Sequence, residues 1–435
     1  MSVPPAELIK RKANEAFKKR DYHVANTLYS HAMSLDGDNP LYVLNRAMSN
    51  LKLANWQEAE NDVTRALSLS PNDATLAQKG LFRRSWARKA KGDQEGARED
   101  LEAFVARGGK QADAAALADP VAADALLAPL AVSPNAQANE AFEVKDSGSG
   151  KGVFAVRTFH RGDMIFAEEP LFSVPEYGDF RAKWPAILSA VEKLSPSDLV
   201  QFLSLHNNLL LHDDLRGGNI FIGIYFTNVL PGGLCITSSR FNHSCLPNAR
   251  YSWHAESGQM RFFALTDIAV GEEISVSYLI SKKVFGNTRD ERRRLIREGF
   301  DFACSCAACT LDGAALKASD ARRRKAFTLW EAMVQHDPIN QAQRVVNDAV
   351  QAIRLLKEEG YAALADHFAC DAAAFCAMHS DWESAKYWAK YAYDNRCAEF
   401  GADHEDSRDS KVFWDDPRKC PQAGMCSGQK FPQRV

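Results

Sequence analysis

The sequence predicts a multidomain α+β protein. An α-helical repeat array comes first, a β-rich domain with a cysteine-rich metal-binding segment follows, and a second α-helical domain lies behind. Three observations predict this. Residues 6–73 match themselves at an offset of 34 residues. From Phe142 the chain turns to short β-like runs separated by Gly-rich turns, and from about Ala315 helical periodicity returns. A length of 435 residues accommodates two or three such domains.

The repeat is carried by Tyr22 and Trp56, Ala25 and Ala59, Ala32 and Ala66, and Leu35 and Leu69, each pair 34 residues apart. Small residues at the alanine positions let two helices approach closely, and the aromatic fills the gap between turns. "DGDNP" and "SPND" break the chain between units, as Pro, Gly and Asn should. A looser third copy runs from about Asp73 to Gly108, with Ala97 and Leu101 echoing Ala59 and Val63 at an offset of 38. The array over 6–108 resembles tetratricopeptide repeats, stacked helical hairpins with a concave face. Within it, Lys10, Asn14, Asn45, Lys79 and Arg83 stand where that resemblance places a carboxylate clamp. The clamp implied is one that holds the acidic C-terminal peptide of heat-shock chaperones. The plainer alternative is a basic solvated helix face with a structural Asn. Residues 109–138 turn to Ala, Pro and Asp and read as a linker with one short helix.

The middle region, 139–282, contains "AFEVKD", "GVFAVRTF", "MIFAEEP", "FFALTDI" and "EISVSYL" as strand candidates, interrupted by a helical insert at about 181–211. "SGSGKG" puts Gly150 and Lys151 in a turn before a strand, where backbone can approach a ligand closely. "RFNHSCLPNA" packs an amide, an imidazole, a hydroxyl and a thiol into one loop, groups that are costly to bury without partners. "CSCAAC", Cys304, Cys306 and Cys309, is too tightly spaced for comfortable disulfides and reads first as metal ligands. Cys235, Cys370, Cys376 and Cys397 lie in apolar or mixed surroundings and read as plain buried thiols, while Cys420 and Cys426 fall in the final stretch.

The order and spacing of the glycine turn, "NHSC-x-PN", "GEEISVSY" and the cysteine cluster resemble a SET-domain protein lysine methyltransferase with its post-SET segment, here 283–312. That resemblance implies S-adenosyl-L-methionine as cofactor. It implies contacts to the cofactor from Gly150, Lys151, Asn228, Ser239, Asn242, His243 and Phe302, with Phe300 lining a substrate lysine channel. Leu230 stands where an aromatic is common, which sets the Asn228 match apart from the rest. It implies Tyr278 as the catalytic residue, orienting a neutral lysine. A free lysine has a pKa of about 10.4 and is almost wholly charged at pH 7, so a narrow aromatic channel that disfavours the ammonium is part of the chemistry. The loop thiol belongs to the metal in this family. Three thiolates leave a tetrahedral Zn2+ one ligand short, and Cys245 completes a site with Cys304, Cys306 and Cys309.

The helices over 315–400, followed by a tail at 401–435, resemble those of the SET-and-MYND subfamily. The chain departs from that subfamily in having no Cys/His-rich MYND module between the glycine turn and "NHSC". The runs 292–294 and 322–325 are basic, and on helices such runs are more often solvated faces than nucleic-acid contacts or nuclear signals. A net charge of −3 gives no strong nucleic-acid signal, and no apolar run approaches membrane-span length. The expectation is an intracellular protein, cytoplasmic or nuclear, that methylates a histone or non-histone lysine. Its rival is a non-catalytic chaperone-binding adaptor. A small-molecule methyltransferase would show a glycine turn leading into a helix, and here it leads into a strand.

Overall fold

The computed structural model describes residues 3–119, 140–148, 150–175, 178–208, 219–279, 284–337, 339–361, 363–426 and 428–435. They form two compact units: Met1–Ala136 with Val174–Asn228, and Gln137–Ser173 with Val229–Val435.

The first unit is built from antiparallel helical hairpins: α1 (Pro5–Lys18) with α2 (Tyr22–Leu35), α3 (Pro40–Lys52) with α4 (Trp56–Leu69), and α5 (Ala74–Ala90) with α6 (Gln94–Ala106). Asp21, Asp73 and Asp93 each cap a following helix by accepting a backbone N–H, and Pro40 and Pro5 open theirs where no donor is needed. The four repeated alanines, Ala25, Ala32, Ala59 and Ala66, are all fully buried, so the small side chains do set the helix approach. The 38-residue echo extends to two ion pairs that the sequence pattern did not single out. Arg46 holds Asp62 and Arg84 holds Asp100, each at 2.6 Å with the aspartate buried. The described part of the linker carries the short helix α7 (Gln111–Ala118); the rest of the linker lies outside the described residues.

Three more helices complete this unit: α8 (Trp184–Lys193), α9 (Pro196–Leu203) and α10 (Ile220–Asn228). Helix α9 packs on α1 and α2, Lys12 Nζ donates to the Leu194 carbonyl at 2.6 Å, and Arg11 pairs with Glu192 at 2.7 Å. The insert within the β-rich sequence therefore folds together with the repeats. Residues 209–211 of the expected insert lie outside the described residues.

The second unit carries small sheets. Strands β1 (Phe142–Asp146) and β2 (Lys151–Ala155) form an antiparallel hairpin. Strand β3 (Met164–Glu168) and strands β7 (Ala249–His254) and β8 (Gln259–Ala264) form an antiparallel sheet in the order β3-β8-β7. Between them lie β4 (Val229–Leu230) paired with β5 (Gly233–Leu234), and β6 (Asn242–His243), which runs parallel to β9 (Ser275–Val276). The core beneath them includes Val153, Phe159, Ile274 and the stacked pair Phe241–Phe262, with ring centroids 4.1 Å apart.

Behind this core follow α11 (Arg289–Phe300), α12 (Ala307–Thr310), α13 (Gly313–Gln335), α14 (Ala342–Glu359), α15 (Ala365–Met378), α16 (Trp382–Phe400) and α17 (Glu405–Asp415). The stretch read as a tail holds α17, and its end is packed: Phe431 is fully buried beside Trp388 and Phe368. Helix α16 lies on β7 and β8. Arg250 of β7 bonds the buried Glu399, Arg261 pairs with Asp403 at 2.8 Å, and Arg161 Nη2 donates to Asn395 at 2.9 Å. The basic runs are only partly solvated faces, which corrects the sequence expectation. Arg292 and Arg323 are buried, Arg323 against Glu359 at 2.8 Å, because each run turns one position of its helix inward. Among the described residues, no helix is long and apolar enough to cross a membrane.

Candidate functional site

The site grows from the short parallel pairing of β6 with β9, in which Asn242 lies opposite Ser275 and His243 opposite Val276. Two chain segments from distant parts of the sequence are thereby held side by side, and each polar group of the loop finds its own partner. Asn242 Nδ2 donates to Glu273 Oε1 at 2.7 Å and to the Lys151 carbonyl at 3.2 Å. His243 Nδ1 accepts the Tyr278 backbone N–H at 3.0 Å, so the ring proton sits on Nε2, which faces Cys245 Sγ at 3.3 Å. Burial pushes the His243 imidazole down to about 4, keeping it neutral. Ser244 donates its backbone N–H to the Val276 carbonyl at 2.9 Å. Asn248 sews the end of the loop down, donating to the Glu273 carbonyl and accepting from Ser275 N.

Tyr278 follows β9 directly. Its hydroxyl donates to the Phe241 carbonyl at 2.8 Å. Burial first, then Tyr251 and Glu273, raise the phenol above its ordinary range. Its ring meets Phe300 at 4.9 Å and Phe302 at 6.4 Å, and Phe302 also meets His243 at 6.3 Å. These two phenylalanines come from the end of α11, where Asp301 takes a left-handed conformation (φ 59°) that stops the helix between them. Phe302 is exposed and Phe300 half-buried, so the aromatic group opens on its Phe302 side. The structure thus brings Tyr278, His243, Phe300 and Phe302 together.

The glycine turn lies against the same strands. Gly152 is packed so closely that a Cβ there would sit 2.4 Å from Glu273 Oε1 and 3.0 Å from Asn242 Nδ2. Gly150 is different: its φ of 135° excludes other residues, yet nothing among the described atoms lies within 4 Å of where its Cβ would be. Gly150 and the neighbouring Lys151 are both exposed, so the space over this turn is open. Ser239 donates its hydroxyl to the Cys235 carbonyl within a short 3-10 turn, and Glu168 anchors that turn by accepting from Thr237 N and Ser238 N. Asn228 ends α10 in the other unit, where Nδ2 donates to the carbonyls of His206 and Ile224, both at 2.7 Å.

Cys245, Cys304, Cys306 and Cys309 place all four sulfurs within 4.8 Å of one another, with Cys245 and Cys309 3.6 Å apart. Zn–S bonds of about 2.3 Å in a tetrahedron set sulfurs about 3.8 Å apart, so the donor set fits a closed structural zinc site. None of the four is in a disulfide.

In the repeats, Tyr29 holds one of the expected clamp residues, Asn14. Its hydroxyl donates to Asn14 Oδ1 at 2.6 Å, and burial raises the phenol, with Arg83 opposing in part. Arg83 donates to the Leu44 carbonyl next to Asn45, and burial lowers its guanidinium to about 10. Lys79 is exposed, Asn45 half-buried, and Lys10 pairs with Glu7 at 2.6 Å.

Sequence reasoning missed Glu168 and Glu273, the two carboxylates that fix the loop. Glu273 stands in "GEEI", whose tyrosine was noticed and whose acid was not. Glu168 lies 70 residues from Ser238, and no local pattern announces such a contact.

The family model for the SET domain matches residues 150–279. Histone-lysine N-methyltransferase set5 of Schizosaccharomyces pombe is 28% identical over 247 residues, 55% of this chain and 73% of that protein. Protein-lysine N-trimethyltransferase SMYD5 of Homo sapiens is 39% identical over 84 residues, 19% of this chain and 20% of that protein. Human serine/threonine-protein phosphatase 5 is 35% identical over 100 residues, 23% of this chain and 19% of that protein. The chain thus spans about a fifth of the length of these last two relatives. Among solved structures, the Arabidopsis OM64 TPR domain aligns at 29% identity over 28% of this chain and 93% of that one, with a TM-score of 0.24. Residues 150–279 thus carry a match to the SET domain, behind helical repeats, and the chain is similar to proteins named as protein-lysine N-methyltransferases.

Proposed function

We propose that this protein is an S-adenosylmethionine-dependent lysine methyltransferase acting on a histone or other protein. The observation that carries the reading is the convergence of Tyr278, His243, Phe300 and Phe302 beside the β6–β9 pairing, whose Asn242 also bonds the Lys151 carbonyl of the glycine turn. S-adenosylmethionine, when bound, supplies an electrophilic methyl group on a sulfonium. Gly150, Lys151, Ser239, Asn242, His243 and Phe302 would hold it. Phe300 and Tyr278 would wall the lysine channel, and their apolar faces favour the neutral amine over the ammonium. The Tyr278 hydroxyl, fixed on the Phe241 carbonyl, orients the amine lone pair, and positioning of this kind supplies much of the rate. Zn2+ on the four cysteines would hold Phe300 and Phe302 in register by tying their segment to the "NHSC" loop.

The test is transfer of labelled methyl from S-adenosylmethionine into protein from a cell extract, followed by hydrolysis to identify the modified amino acid. Label in lysine, lost by at least about 100-fold in Tyr278→Phe, is the expected result. Label in another amino acid, or equal label with the variant, would overturn the reading.

The repeats carry a second, compatible reading. Tyr29 fixes Asn14, the Leu44 carbonyl fixes Arg83, and Lys79 stays exposed, a set of groups suited to an acidic peptide with a free C-terminal carboxylate, such as a chaperone's. An acidic C-terminal peptide should bind the full chain, and Lys79→Ala should weaken it about tenfold. Amidation of the peptide C-terminus should do the same by calorimetry. Peptide binding without methyl transfer by zinc-loaded protein would favour the adaptor role.

A further inference from the structure

The turn that carries Cys245 satisfies its other polar groups locally. Ser244 Oγ accepts the Leu246 N–H at 3.1 Å and donates to the Leu246 carbonyl at 2.9 Å, and Cys245 N donates to Cys306 Sγ at 3.4 Å. The Cys245 carbonyl departs from this pattern. Its partner is Arg323 Nη2 of α13, 78 residues on, at 3.1 Å. Arg323 is only 2% exposed. Each nitrogen of its guanidinium has an acceptor: Nε donates to Glu359 Oε1 at 2.8 Å, Nη1 to the Phe285 carbonyl at 3.5 Å and Nη2 to Cys245. Phe285 lies in the 3-10 turn Val284–Gly286, which follows Tyr278 in the chain and packs on α13. One guanidinium therefore joins the metal-ligand loop, the turn downstream of Tyr278 and the last residue of α14.

Glu359 holds that guanidinium still. It is buried, and it also accepts from Ser319 Oγ at 2.5 Å and from Arg322 Nε at 2.9 Å. A charge buried this deeply is costly unless it is paired and fully hydrogen-bonded. A planar fork with fixed N–H directions serves three acceptors at once, whereas a lysine ammonium is a compact point charge without that geometry. The flanking arginines go elsewhere: Arg322 to Glu359, and the exposed Arg324 to Glu291 at 2.6 Å.

We propose that Arg323 is a positioning residue for the metal-ligand loop. It fixes the Cys245 turn so that this thiolate meets those of Cys304, Cys306 and Cys309, and so that the same loop presents Asn242 and His243 beside Tyr278. The inference rests on the zinc reading of the four cysteines and not on methyl transfer. A merely structural role, the pairing of α13 with α14 through Glu359, belongs equally to Arg322 and would leave the loop indifferent to which arginine is changed.

The experiment measures the zinc affinity of the full chain by competition with a chromogenic chelator, for wild type, Arg323→Lys and Arg322→Ala. Lysine keeps a charge for Glu359 but cannot serve both carbonyls, so Arg323→Lys should hold zinc about tenfold less tightly. Arg322→Ala should stay within about twofold of wild type, because its half-buried pair with Glu359 does not involve the loop. A second measurement needs no variant. Coupling is reciprocal, so stripping zinc from wild type should speed amide exchange in 319–325 and 356–361 as well as around the cysteines, and should leave α15 unchanged. Wild-type zinc affinity in Arg323→Lys overturns the proposal. So does an equal loss in Arg322→Ala, which would make the effect general to the α13–α14 contact. Exchange changes confined to the cysteine segments overturn it too, and that result stands even where Arg323→Lys fails to fold. A wild-type chain that takes up no zinc would overturn the metal reading and the proposal with it. Methyl transfer is read in none of these measurements, so failure of the enzyme reading leaves their outcome intact.

Discussion

Tyr278 is a phenol whose surroundings all oppose its ionisation: burial, the neighbouring Tyr251 and the carboxylate of Glu273. Its pKa is raised, so the neutral phenol persists to higher pH than in a free tyrosine, and the group that titrates in the working range is the substrate amine. The sign follows. Below the amine's pKa of about 10.4 the reactive neutral fraction grows tenfold per pH unit. The value of kcat/KM should therefore rise from pH 6.5 to 9 with a logarithmic slope near one, with no descending limb from Tyr278 in that range. Initial rates with a lysine-containing protein substrate would check it. A bell centred below pH 8.5 would mean that Tyr278 loses an essential proton in that range, which the buried, Phe241-bonded hydroxyl does not support. At this scale much of the site was legible, because "NHSC", Tyr278 and "CSCAAC" are contiguous patterns with chemistry of their own. Glu168 was not, because a carboxylate that accepts two backbone N–H groups from a distant turn looks locally like any strand-end acid.

Elements were legible where periodicity was strong and illegible where tertiary contacts set the conformation. The repeat helices announced themselves through alanine spacing, and the aspartate caps sharpened their starts. Helix α10, "IFIGIYFTN", did not, because it is apolar on nearly every side and rich in residues that favour strands, so period alone cannot classify it. Helix α16 shows the same limit from another direction. Ala385, Ala389 and Ala392 repeat at helical spacing in its sequence, but nothing there shows that its end seals a buried acid against the β7 strand. Glu399 is fully enclosed, bonded to Arg250, and burial raises its carboxyl to about 7. An acid whose folded pKa lies above its unfolded value binds more protons when folded, so this residue's contribution to stability is present at low pH and is lost as pH rises through about 5 to 7. Glu399→Gln should flatten the pH dependence of the thermal midpoint of this unit between pH 5 and 7.5 and stabilise the protein relative to wild type at the upper end. Unchanged slopes for the two proteins would show that Glu399 stays ionised on Arg250 throughout.

At the scale of the whole molecule, the cysteine site is the point where the SET loop, the post-SET segment and the C-terminal helices meet. Cys245 comes from the loop, Cys304, Cys306 and Cys309 from the segment after α11, and Arg323 of α13 donates to the Cys245 carbonyl at 3.1 Å. The same Arg323 is held by Glu359 of α14, so the metal-binding loop and the C-terminal helices share one buried ionic link. Ile296 and Ala308, with Leu246 and Leu279 against them, supply the apolar packing around the sulfurs; the cluster is small, and a bound zinc ion would add the ligation that holds it closed. Stripping the metal with a strong chelator should therefore release about one zinc per chain, as read by a chromogenic dye. Methyl transfer should fall by at least about tenfold, because Phe300 and Phe302 ride on the segment that is set free. The repeat helices form their own compact unit and need no metal, so acidic-peptide binding by Lys79 and Arg83 should survive the same treatment. Re-addition of zinc should restore transfer, and Cys306→Ser should reproduce the loss without chelator. Full activity in protein shown to be metal-free would mean that packing of Ile296 and Ala308 alone fixes the aromatic wall, and the cysteines would then be redox-sensitive thiols in a hinge.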